Sequence, residues 1–145
     1  MILPYGYIDQ FAGVSLSTDY IMPVACRLRG ASSARIVTLA SGKAFNAGQP
    51  ASGVWPVEQV LKIIIRAPLS GDGMLIDTTL QVIAAKQSQE GTLRVRVPGG
   101  NKFYSAPAVL DYPEIESEGQ MADSGAINWV LVALHFSQMD VWTVA

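Results

Sequence analysis

The chain has one histidine, His135, and one cysteine, Cys26, among 145 residues, and that scarcity decides most of the chemistry open to it. Nucleophilic hydrolysis needs a base beside the nucleophile, normally a histidine. His135 lies inside an apolar run with no Ser/Gly elbow or cysteine partner nearby, so it reads as a structural histidine. One His and one Cys exclude the usual zinc sets. Asp111, Glu114, Glu116 and Glu118 lack the glycine turn and ligand spacing of a calcium loop, and residues 114–125 read as a solvated acidic loop. No glycine-rich stretch ends in Gly-Lys-Ser/Thr or follows a strand as GxGxxG; Gly99-Gly100 reads as a hairpin turn. No pair of carboxylates is nominated for acid/base work. The residues therefore point to a non-enzyme, with no catalytic, cofactor-binding or metal-binding residue.

What remains is a set of cations and aromatics. Lys62 and Arg66 share one face of an extended stretch, and Arg94 and Arg96 share one face of another. If the two stretches are neighbouring strands, the four side chains form a basic stripe that could touch phosphates in passing. Phe45 and Trp55 stand among small polar residues in 41–56, read as one long loop, a length usual for contact segments. They either fill the chain's own core or meet a partner.

Those residues must be positioned by the unit from Val57 to Val97. In Val57–Ala67 the odd positions Val57, Leu61, Ile63 and Ile65 make an apolar face broken only by Gln59. The even positions Glu58, Val60, Lys62, Ile64 and Arg66 make a face both greasy and charged, neither plainly core nor plainly solvent. A Gly/Pro turn follows. The helix expected next, 75–89, has Ile76, Leu80, Ile83 and Ala84 on one stripe, with Asp72 or Asp77 as its cap and Gly91 at its end. Thr92–Val97 alternates strictly, and Pro98-Gly99-Gly100-Asn101 should turn it into an antiparallel partner running from Lys102 to about Glu114. Pro107 and Pro113 demand an edge or a bulge there.

The flanking segments are simpler. Residues 1–30 are punctuated by Gly and Pro and predict short strands and turns, or an arm reaching to a neighbouring subunit. Residues 34–40 read as a strand. Residues 126–139 are apolar on both faces and predict a central strand covered twice, and the apolar tail through Trp142 should be docked.

Half of the residues are hydrophobic and only 15% charged, with a mean hydropathy of +0.28. That composition suits a single domain, 1–145, with either a full core or apolar surface covered by other subunits. The longest apolar runs fall far short of the roughly 20 residues of a membrane span, and the N-terminus does not read as a signal peptide. A net charge of −2 disfavours a dedicated nucleic-acid binder. Cys26 reads as a small buried hydrophobe, and a lone cysteine suits a reducing compartment.

The runs VEQVLKIIIRAP, MLIDTTLQVIAAKQSQEGTLRVRVPGGNKFYSAPAVLDY and INWVLVALHFSQMDVW together give strand, single helix, strand, glycine turn, strand and closing strand over residues 57–142. That order resembles the tube-forming proteins of tailed bacteriophages, the tail tube and distal tail group. The resemblance implies a mainly β fold with one helix: an antiparallel β-sandwich or split barrel flanked by a single amphipathic helix. It implies a homohexameric ring, other tail or connector proteins as partners, DNA passing through, and a place in the virion tail after assembly in the host cytoplasm. Glu58, Lys62, Ile64, Arg66, Arg94, Arg96, Phe45 and Trp55 would then line a channel or a subunit seam. Two departures stand out: no further C-terminal domain is present, and the family's channels tend to be electronegative, whereas the stripe is basic. Tube, distal ring, terminator and connector all fit. The alternative is a small β-sandwich module binding carbohydrate or peptide on Phe45, Trp55, Tyr104 and Tyr112.

Overall fold

The computed structural model describes residues 2–30, 36–46, 56–67, 73–120 and 127–145. Its strands are β1 (Tyr7–Phe11), β2 (Val14–Ser15), β3 (Ile21–Arg27), β4 (Ile36–Thr38), β5 (Ala44–Asn46), β6 (Val57–Arg66), β7 (Glu90–Arg96), β8 (Phe103–Gln120), β9 (Ile127–Gln138) and β10 (Thr143–Val144). A single helix, α1 (Gly73–Ala84), stands between β6 and β7. One antiparallel eight-stranded sheet runs β2-β1-β7-β8-β9-β6-β3, with β10 joined to β8. β4 and β5 form a separate two-stranded hairpin. The fold is therefore mainly β with one short helix, and the sheet is not closed into a barrel.

Alternation explains why these strands bury what they bury. The odd positions of β6 and the even positions of β9 face inward: Leu61, Ile63, Ile65, Val132, Leu134 and Phe136 are fully buried, each burial worth about 1.5–3 kcal/mol. The sheet curls over these residues. Phe11 of β1 lies 5.0 Å from Phe136 of β9, ring centre to ring centre, although two strands separate them in the sheet. Strands β1 and β3 approach each other without a ladder, leaving the form of a split barrel. Helix α1 lies against β6, β8 and β9, with Ile76 and Ile83 buried and Leu80 half-buried on one stripe.

The short strands expected in residues 1–30 are β1, β2 and β3 of the chain's own sheet, and Ile8, Phe11, Leu16 and Ile21 enter the core. Several other sequence-based expectations change. Residues 44–46, expected within a loop, are β5. The helix stops at Ala84. Gly91 therefore lies inside β7 rather than capping the helix, and its missing Cβ admits Ala12, the residue after β1. Asp77 stands within the helix beside Gln81 and caps nothing; Asp72 lies outside the described residues. The acidic stretch 114–120 is no loop but the far half of β8, paired with β9.

The two prolines sit where a ladder tolerates them. The Pro107 carbonyl accepts from Met139 N–H. Its missing N–H thus faces the gap where β9 leaves β8 and β10 has not yet joined. Pro113 lies between two register shifts, at Leu110/Tyr112 and Ile115/Ser117.

Candidate interaction face

The outward side of β6, β9 and the far half of β8 forms a continuous face whose cross-strand partners follow from register. Val60 stands opposite His135, Lys62 opposite Ala133, Ile64 opposite Leu131 and Arg66 opposite Trp129. Tyr112, Glu114 and Gly119 stand opposite His135, Ala133 and Trp129 from the other side. The mixed face expected of Val57–Ala67 is present: Glu58 and Arg66 are exposed, and Val60, Lys62 and Ile64 are half-buried.

At one end His135 lies between two carboxylates. Its Nδ1 is 3.2 Å from Glu58 and its Nε2 is 3.4 Å from Glu114, and Tyr112 stacks on the ring at 4.4 Å. A neutral imidazole has one N–H to give, and Nε2 is buried without a hydrogen-bond partner. The nearest serine on the strand, Ser137, gives its hydroxyl to Asp111. No group of three or more His, Cys, Asp or Glu among the described residues is placed to hold a metal ion.

The basic stripe does not form. Strands β8 and β9 stand between β7 and β6, so Arg94 and Arg96 are not beside Lys62 and Arg66. Nor are most of these cations free. Lys62 pairs with Glu116 at 3.1 Å. Arg94 makes a bidentate bond to buried Asp9, at 3.0 and 2.8 Å, and this bond holds its guanidinium above the ordinary basicity. Both Arg94 and Arg96 also lie over the Phe103 ring. Arg66 gives its Nε–H to the Asp19 carbonyl at 2.9 Å.

Phe45 is in β5, opposite Val37, and Trp55 lies outside the described residues. The register shift at Leu110/Tyr112 puts Tyr104 and Tyr112 on opposite faces of the sheet. Tyr104 packs on the core and Tyr112 on His135, so they form no common platform. Cys26 is half-buried; burial pushes its thiol up, opposed by a hydrogen bond with the Ile8 backbone.

Two further sets of residues emerge from the register, the second joining the expected Ile64 and Arg66 to neighbours that carried no signal in the sequence. Gln59 and Gln138, both fully buried, bond to each other at 2.8 Å. Gln59 also holds both backbone groups of Arg29, at 2.8 and 2.7 Å, and Gln138 donates to the Asp140 carbonyl at 2.7 Å. At the opposite end of the face, Trp129, Arg66, Ile64, Asn128, Tyr20 and Asp19 line a hollow of about 630 Å³. A lone Gln in an apolar run and a Gly two strands from an Arg are uninformative until the strands are aligned.

The face also meets open edges. Among the described residues, the far half of β8 has no strand on the side away from β9, and β3 pairs with β6 alone. Glu114, Ile115, Glu116 and Glu118 are exposed on the first edge; Met22, Val24, Arg27 and Arg29 are exposed along the second. No helix among the described residues is long and apolar enough to cross a membrane. Comparison with protein-family models, with curated proteins and with solved structures finds no match.

Proposed function

We propose that the chain is a non-enzymatic structural subunit of a phage tail or head-to-tail connector, closing with copies of itself into a ring, six in number by the family resemblance, through which DNA passes. The observation that carries this reading is the pair of unlike open edges. One is acidic, with Glu114, Glu116 and Glu118, and holds an exposed Ile115; the other leads into Arg27 and Arg29 and exposes Met22 and Val24. Arg27, Arg29 and Glu118 have no ion-pair partner among the described residues. Unpaired strands with exposed apolar side chains invite strand addition. Two different edges that complement each other make a head-to-tail contact, which closes into a ring when the rotation allows.

The internal pairing of Lys62 and of Arg94 leaves no basic track, which suits a wall that DNA passes without being held. Other tail or connector proteins would stack on the ring's two rims, within the virion tail.

Light scattering on a sizing column with negative-stain microscopy tests the reading, from low to high salt. The expected result is a closed ring for the wild type, lost in Glu118→Lys and in Arg27→Glu, and recovered when the two variants are mixed. A monodisperse monomer at every concentration and salt overturns it.

A further inference from the structure

The geometry points to a second property, a saccharide-binding site on the outer face that takes one pyranose ring against Trp129. It stands apart from the ring reading and concerns the end of the face away from His135. Register places Gly119, Trp129 and Arg66 in one row across β8, β9 and β6. A Cβ at Gly119 would collide with the Trp129 indole, so the indole lies across the glycine and uses it as a floor. Beside it opens the hollow of about 630 Å³, walled by Ile64, Arg66, Tyr20 and Asp19, within the size range of small-ligand sites.

The polar groups around this platform are the second observation. Among the described residues Arg66 commits only its Nε–H, to the Asp19 carbonyl, which leaves its terminal N–H groups to give. The Asp19 carboxylate is exposed and accepts no hydrogen bond among the described residues. The site thus offers a carboxylate acceptor, a cationic donor and a flat apolar surface.

A pyranose matches that set. Each hydroxyl both donates and accepts, so neighbouring hydroxyls can pair with Asp19 and Arg66 together while the C–H face of the ring covers the indole. A phosphate fits worse, because the Asp19 carboxylate beside Arg66 repels it. An apolar peptide side chain would cover Asp19 and Arg66 without pairing either.

The test is titration of the full chain with methyl glycosides of glucose, galactose, mannose and N-acetylglucosamine and their β-linked disaccharides, read by tryptophan emission and by the Trp129 indole NMR signal. At least one should give a saturable change. Trp129→Ala should abolish binding, and Asp19→Ala should weaken it about tenfold, a loss of about 1.4 kcal/mol. Gly119→Ala keeps every polar group but lifts the indole from its floor, and it too should weaken binding, whereas Trp142→Phe, in the core, should not. Circular dichroism confirms that each variant is folded. No saturable response to any sugar, an unchanged affinity in folded Gly119→Ala, or saturation by a single-stranded oligonucleotide and not by sugars would each overturn the proposal. Because binding is read on the chain in whatever assembly state it adopts, failure of the ring reading leaves this outcome separate.

Discussion

Asp9 and Arg94 show how one residue's chemistry depends on another's placement. Asp9 is only 6% exposed, and both its carboxylate oxygens accept from Arg94. Removing the guanidinium would strand a carboxylate in a nearly dry setting. The penalty for breaking a fully buried pair is about 3–5 kcal/mol; here the Arg94 side chain is 38% exposed, and solvent screening reduces it. Arg94→Ala is therefore expected to lower stability by about 2 kcal/mol, read from the urea midpoint at unchanged slope. Asp9→Asn combined with Arg94→Ala should recover part of that loss, because no charge is then left buried. An Arg94→Ala midpoint equal to wild type would mean that water reaches Asp9.

Among the elements, β6 and β9 are locked by more than their ladder. The Gln59–Gln138 bond lies in the inner layer and fastens two otherwise loose pieces of backbone, Arg29 after β3 and Asp140 after β9. The Arg29 carbonyl also accepts from the Trp142 indole at 3.3 Å, which seats the buried Trp142. Gln138→Leu keeps most of the volume but leaves Gln59 Nε2 with one acceptor fewer and Asp140 without its donor. A cost of about 1–3 kcal/mol is expected, with faster amide exchange at residues 140–145. If exchange of that tail stays unchanged while the midpoint falls, the amide pair supports packing alone.

For the whole molecule, stability should be graded from the centre of the sheet outward. β9 is hydrogen-bonded on both sides along most of its length and carries four fully buried or nearly buried inward residues, Val130, Val132, Leu134 and Phe136. Among the described residues the β4–β5 hairpin pairs only with itself, and two strands alone are marginal in water. Native-state hydrogen exchange is expected to show the slowest amides in β6 and β9 and the fastest strand amides in residues 36–46. Ring formation adds a second expectation at this scale: amides along β3 and along residues 113–120 gain protection in the assembled form, and the hairpin's protection tells whether it too finds a partner.

Several features follow from the order of residues alone, because they depend on neighbours one to four positions apart. Alternation in 57–66 has period two and places Leu61, Ile63 and Ile65 inward whatever the sheet's order, whereas 127–138, apolar on both faces, shows a central strand but not which side is inner. The stripe Ile76, Leu80, Ile83 has helical period and needs only a sheet to lie on. Pro98-Gly99-Gly100-Asn101 turns the chain because Gly99 can take its positive φ of 77°. Sheet order and register are different in kind, since they are set by which distant surfaces bury most together. Placing β8 and β9 between β7 and β6 dissolved a basic stripe, a one-residue shift after Leu110 moved Tyr112 to the face opposite Tyr104, and alignment of three strands brought Gly119, Trp129 and Arg66 into one row. A strand records which side of each residue faces inward, whereas its neighbour is chosen by the packing of the whole core.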